Sequence, residues 1–352
     1  MDFTFTAEQQ DLRAAMRDIA ADRCAPSRLR EVIDSADGYD ADLWRLVAGE
    51  LGLVGVAVSE ANGGTGGSFV DAAVVIEESA RVLMPVPLLA GVVAAAAIDR
   101  GEAQAAAGLL ASVASGERTA ALVVAPDVVE SGGSLGGVAL HVIDGHRADG
   151  YVVATPDGLW VIDRDATGVE VVGAASLDST RSLATATFDC AAAERLGDAA
   201  ASTAAVDLLR VGLAIEAVGI ARQCLASTVA YLKARVQFGK PIGSFQALQH
   251  RAADLAVDLE AAASTAYFAA WAAADAPDEL TVVAPLAKAV CADAAYRIAA
   301  ETIQLHGGIG FTWEHDAHLY FKRATANRMM LGDAHEQRHL VAARAGLLRK
   351  PG

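Results

Sequence analysis

Hydrophobic and polar positions change their period twice along this chain. Helical spacing predicts one helix opening at Thr6, a second near residues 40–51 and a third near 68–83. From about 120 to 197 the pattern shortens to β-branched runs separated by turn residues, and from 199 the helical period returns and persists. The longest unbroken piece, 206–237, contains no proline. It breaks at Gly239, Lys240, Pro241, Ile242 and Gly243. Glycine just past a helix, with proline soon after, is a stop signal. Ser244 is then placed to cap the next helix through its hydroxyl. Phe245, Leu248, Ala252, Leu255, Leu259 and Ala263 mark one face of that helix. The two segments read as an antiparallel pair, each roughly 45 Å long at ~1.5 Å per residue.

Smaller signals fill in the rest. Thr6 with Gln9, and Asp333 with Glu336, have capping-box spacing. Strand-like runs fall at 121–124, 151–154, 159–162, 168–172 and 184–188, which predicts a small antiparallel β unit. Further helices are expected at 280–304, stopping at Gly307 and Gly308, and at about 314–330. The pattern divides the chain into a helical unit at 1–118, a β unit at 119–197 and a helical bundle at 198–352. Between the second and third helices lies the glycine-rich stretch 60–67. It has neither a preceding strand nor the Lys-Ser/Thr of a phosphate loop, so turn chemistry explains it better.

Composition narrows the chemistry. Lys and Arg number 28 against 44 Asp and Glu, a net charge of −16, which argues against a nucleic-acid partner. A phosphorylated cofactor needs only one or two local arginines or a few backbone N–H groups. Cys24, Cys190, Cys224 and Cys291 are widely spaced and read as reduced thiols of a cytoplasmic protein. No His or Cys set has metal-ligand spacing, and the apolar run 84–98 is too short to span a membrane. Arg235, Gln237, Gln246, Gln249 and His250 cluster at the bend of the helix pair, where packing alone needs no polar group.

The order helical, small β, helical bundle, with Arg235, Gln237 to Gly239, Phe245, Gln246 and the run Gln304 to Gly310, resembles the acyl-CoA dehydrogenase family. Thr6 to Gln9, Ala61 to Gly64 and Gly332 to Arg338 are similar too, so the likeness covers nearly the whole chain. The resemblance implies FAD as cofactor and an acyl-CoA thioester as substrate. In that family a carboxylate takes the α-proton while hydride leaves the β-carbon. It also implies a dimer or tetramer, with part of each FAD held by a neighbouring subunit. On that pattern Arg235 would pair with the FAD pyrophosphate, Phe238 would pack on the cofactor and Gln246 would hydrogen-bond it. Gln304, Leu305, His306, Gly307 and Gly308 would approach the adenosine half, and Arg210 would help shape the acyl site.

The chain departs from the family where the chemistry sits. The carboxylate usually stands just before the glycine matched by Gly332, or just before the arginine matched by Arg210. Those positions hold Leu331 and Leu209, and leucine cannot accept a proton. The flavin-ring motif is replaced by the stretch 125–133. Glu216, in an apolar run, is better placed for a buried ion pair, Asp333 for an N-cap and Asp178 for a turn. This combination resembles the shortened subunit of the unlike-subunit α2β2 acyl-CoA dehydrogenases of steroid-degrading bacteria. Such a subunit would complete a partner's FAD site. Two other readings stay open: a self-sufficient homotetramer with an unrecognised base, and a non-catalytic scaffold.

Overall fold

The computed structural model describes residues 4–35, 38–101 and 106–348. Six helices come first: α1 (Ala7–Arg23), α2 (Pro26–Ile33), α3 (Ala41–Trp44), α4 (Phe69–Arg81), α5 (Leu88–Asp99) and α6 (Ala107–Ala114). The capping box heads α1, with Thr6 Oγ1 accepting from the Gln9 N–H and Gln9 Oε1 accepting from the Thr6 N–H. The helix expected near 40–51 is α-helical only over α3 and then widens into a π-type turn at 45–50. Every residue of α5 from Leu88 to Ile98 is buried, as a helix enclosed on all sides requires. Among the described residues no helix is long and apolar enough to cross a membrane. The glycine-rich stretch folds back on the turn before it: a Cβ on Gly64 would lie 2.2 Å from the Val58 carbonyl oxygen. Close packing explains that glycine.

Eight strands follow: β1 (Ala120–Val124), β2 (Val129–Ser131), β3 (Ser134–Ile143), β4 (Gly150–Thr155), β5 (Gly158–Asp163), β6 (Val169–Ala174), β7 (Leu183–Ala192) and β8 (Glu194–Asp198). They form two four-stranded sheets, ordered β1-β4-β5-β8 and β2-β3-β7-β6. Pairing is antiparallel as expected, except that β1 and β4 run parallel. Strand direction depends on connections, which periodicity does not encode. β3 carries one extra residue between Ala139 and Val142, a bulge that leaves Leu140 and His141 out of the ladder.

The remainder is α7 (Ala199–Ala234), a two-residue-per-strand hairpin of β9 (Val236–Gln237) and β10 (Lys240–Pro241), then α8 (Gln246–Asp275), α9 (Pro277–His306), α10 (Ala317–Met329) and α11 (Ala334–Arg344). The helix pair is as expected, with two corrections at its bend. α7 ends before Arg235, and Gly239 serves the hairpin, whose two turn residues Phe238 and Gly239 both have positive φ (55° and 79°). Ser244 does not cap α8; its hydroxyl donates to the Pro241 carbonyl at 2.8 Å, and Phe245 takes the cap position without a side-chain bond. The bundle core is rich in alanine. Ala266, Ala269 and Ala270 of α8 and Ala284, Ala287, Ala295 and Ala299 of α9 are buried, which lets these helices lie close. Pro285 sits inside α9 and offers no N–H to the Thr281 carbonyl four residues back. Arg344 Nη1 of α11 donates to that carbonyl instead, at 2.7 Å, and also to both oxygens of Asp207 at 2.9 Å.

Candidate functional site

The C-terminal ends of α7 and α9 lie at the same end of the bundle, and Tyr231 near the end of α7 stacks on His306 at the end of α9. The hairpin after α7 and the glycine loop after α9 (residues 307–316) therefore share one surface. Arg235, Phe238, Gln246, Gln304, Gly307 and Gly308 are all exposed there. Phe238 is 89% exposed, Phe311 85% and Trp313 65%. A Cβ built on Gly307 or Gly308 meets nothing within 4 Å, and Gly307 has φ 65°. An open glycine backbone on the same surface as an exposed guanidinium suits close approach by a phosphorylated group. Leu305 and His306, grouped with these residues from the sequence, are instead buried beneath the loop. Phe311 and Trp313 had no signal in the sequence beyond their aromatic character.

The second half of the site is a cleft of ≈ 290 Å³ between β1, the bulged part of β3 and the link from α10 to α11. Leu209 and Leu331, which stand at the two positions expected of a base, line this one cleft. Val138, Leu140, Met329 and Met330 add further alkyl groups, and Asp127 and His141 are the titratable side chains of the lining. His141 and Leu331 both have positive φ (59° each), an uncommon conformation for residues with a Cβ. Arg210, next to Leu209 in the chain, is held by two side chains. Its Nη1 donates to Asp207 at 2.7 Å and its Nε to Gln337 Oε1 at 3.1 Å. Burial raises the Asp207 carboxyl against the pull of Arg210 and Arg344.

A buried ionic cluster ties the β unit to the bundle. Arg323 of α10 pairs with Asp178 and, at 3.0 Å, with Glu216. Its Nη2 also donates to the Thr180 carbonyl and hydroxyl at 2.8 and 2.7 Å. Arg181 pairs with Glu216 as well, and Asn327 Nδ2 donates to Glu216 Oε2 at 2.9 Å. Burial alone would raise Glu216 and Asp178, but Arg181 and Arg323 outweigh it and hold both below the usual carboxylate range. Glu216 is thus the buried ion pair expected of it. Asp178 combines its turn role, accepting from the Thr180 N–H at 2.9 Å, with the Arg323 pair. Asp333 caps α11 with Glu336 as expected. Lys288 of α9 is buried and its Nζ donates to the Arg328 carbonyl at the end of α10. Burial pulls that amine down to about 8. Nothing in the sequence marked Arg323 or Lys288, since each reads as one more cation on a helix.

The two halves differ in their fit to FAD. The exposed guanidinium, amide and glycine backbone at the bundle end fit the phosphate and adenosine parts. The mostly alkyl cleft, with Asp127 and His141 as its titratable side chains, offers few partners to the polar edge of a flavin ring.

Comparison with known proteins agrees with this architecture. The chain matches "Acyl-CoA dehydrogenase, N-terminal domain" over residues 6–117 and "Acyl-CoA dehydrogenase, C-terminal domain" over residues 197–346. It is 38% identical over 335 residues to acyl-CoA dehydrogenase IpdE2 of Mycobacterium tuberculosis, covering 94% of each chain. Among solved structures it is similar to a variant of the Tcur3481-Tcur3483 steroid ACAD, with TM-score 0.90, 30% identity and coverage of 97% and 98% of the two chains. It is also similar to the ChsE4-ChsE5 complex from Mycobacterium tuberculosis, with TM-score 0.92, 26% identity and coverage of 99% and 100%.

Proposed function

The chain belongs to the acyl-CoA dehydrogenase family, and from that premise we propose that it works as the base-lacking subunit of a pair. It would lend Arg235, Gln246 and the Gln304–Gly308 stretch to an FAD whose ring is held by an unlike acyl-CoA dehydrogenase subunit. The observation that carries this reading is an asymmetry. Leu209 and Leu331 close the same alkyl-lined cleft, while the bundle end that suits a dinucleotide is open and exposed. Leucine has no lone pair, so neither usual position can take the α-proton of the thioester, and a carboxylate of the partner would take it. When bound, FAD supplies the acceptor for the hydride that leaves the β-carbon. This chain's residues would bind and orient the cofactor. Similarity to two structures named for two components, one of them a steroid ACAD, supports an unlike partner and a steroid-derived acyl group.

The lone chain is expected to purify without flavin colour, and the assembled complex to hold one flavin for every two chains. In that complex Arg235→Ala removes a charge-assisted contact of about 1.5–3 kcal/mol and weakens FAD retention roughly ten- to hundredfold. A lone chain that is yellow and bleaches with an acyl-CoA would overturn the proposal in favour of the self-sufficient enzyme. Unchanged flavin content in the Arg235→Ala complex would remove the cofactor role.

A further inference from the structure

We propose that Tyr231 is a positioning residue: its ring, stacked on His306, holds the glycine loop after α9 against the end of α7, where the hairpin with Arg235 begins. The inference rests on the reading that this loop and Arg235 together grip the dinucleotide half of the cofactor. Tyr231 acts through His306 and needs no contact with the cofactor.

Arg235 and the glycine loop leave from different helices, so their spacing depends on how the ends of α7 and α9 are joined. Two side-chain pairs join them. Thr228 Oγ1 donates to Thr302 Oγ1 at 3.0 Å, and both residues are buried. One turn later the Tyr231 and His306 rings stack, with centroids 4.5 Å apart and planes 28° from parallel. That pair lies in the last turn of α7 and on the last residue of α9. The Arg235 N–H then donates to the Tyr231 carbonyl at 2.8 Å, and the Arg235 carbonyl accepts from the Ile242 N–H at 2.8 Å across the hairpin. Tyr231 is therefore tied to the hairpin through the backbone.

His306 is tied in turn to the loop. Its Nδ1 lies 2.7 Å from the Thr302 carbonyl, which can only accept, so that nitrogen carries the proton and the ring is fixed in place. The loop folds down on this residue. A Cβ on Gly310 would lie 2.9 Å from His306 Cβ and 2.8 Å from the Ile303 carbonyl oxygen. His315, at the other end of the loop, tilts against the His306 ring with centroids 4.5 Å apart. Gly307 and Gly308 have no such packing, since a Cβ on either meets nothing within 4 Å. These exposed glycines therefore take their position from the residue beneath the loop, and that residue takes its own from Tyr231. The Tyr231 hydroxyl has no hydrogen-bond partner among the described residues. The ring face is the part that acts, as in other aromatic pairs.

The test compares Tyr231→Leu, which keeps a good helix former but no ring, with Tyr231→Phe, which keeps the ring and loses the hydroxyl. Tyr231 is half-buried, so neither change opens the core. Amide hydrogen exchange is read in the full-length chain at Gly307 and Thr312, whose N–H groups donate to the Gln304 and Ile309 carbonyls, with α4 as the reference. In Tyr231→Leu, exchange in the loop should rise about two- to tenfold, the range of one aromatic pair, while α4 is unchanged. Tyr231→Phe should match the wild type. An unchanged loop in Tyr231→Leu, an equal rise in α4, or a Phe variant as loose as the Leu variant would overturn the proposal. FAD retention by the assembled complex is then measured. If the loop loosens while retention holds, the cofactor reading fails and the positioning role stands. If retention falls in Tyr231→Leu and not in Tyr231→Phe, both stand.

Discussion

Arg323→Ala tests the cluster that joins the β unit to the bundle. The substitution removes one guanidinium from two buried carboxylates and from both oxygens of Thr180. Removing one partner of a buried pair costs about 3–5 kcal/mol, because the other charge stays buried without compensation. The structure places the value at the low end. Arg181 still meets Glu216, and Asp178 still accepts from Thr180. We expect a loss of about 3 kcal/mol near neutral pH, measured by urea unfolding, which is a large share of the ~5–15 kcal/mol typical of a domain. The pH dependence is the sharper readout. In the wild type both carboxyls are held below their unfolded values, so their contribution is present above about pH 4 and is lost on acidification through the folded values. Without Arg323, Asp178 loses its strongest opposing charge and burial moves its carboxyl upward, while Arg181 still holds Glu216. Taking up a proton then relieves the variant, and its deficit should shrink by about 1 kcal/mol between roughly pH 8 and 5. A deficit below about 1 kcal/mol, or one that is flat with pH, would refute the argument that this cluster fastens the two units.

Three further outcomes follow from the same structure. Lys288 is depressed to about 8, so the folded chain releases a proton that the unfolded chain keeps until about pH 10.4. Stability should therefore climb with pH across that window, and Lys288→Met should abolish the climb in pH-dependent unfolding. Asp333→Ala breaks a complete capping box at α11 and should cost about 1 kcal/mol, seen as a lower thermal midpoint. Leu331→Glu puts a carboxyl among alkyl walls, where burial raises its proton affinity. In the lone chain this variant should still give no acyl-CoA-dependent flavin bleaching, because the mostly alkyl lining offers the ring few partners; bleaching would show that the missing base was the sole defect.

The helical parts were legible because their signals are local. Capping boxes at Thr6 and Asp333 and the stop at Gly307 each sit within about one turn of chain, and the apolar face from Leu248 to Ala263 repeats every turn over about four turns. The β unit was legible only in part. β2 and β8 are short and mostly polar, and β3 is broken by Gly136, Gly137 and its bulge, so none shows a clean alternation. Of the site, the two leucines could be read as missing groups, but their convergence on one cleft is a tertiary fact. Arg210 shows the same limit: Gln337, more than a hundred residues away in sequence, shares its guanidinium with Asp207, and that partner could not be read from the neighbouring residues.

Pro285 and Arg344 carry an evolutionary corollary. The imino acid leaves a vacant acceptor inside α9, and the arginine fills it from α11. A relative with an ordinary residue at the first place would close the helical ladder by itself and free the second from half of its duty. The two positions should therefore drift as a couple through descent, although fifty-nine places separate them in the primary sequence.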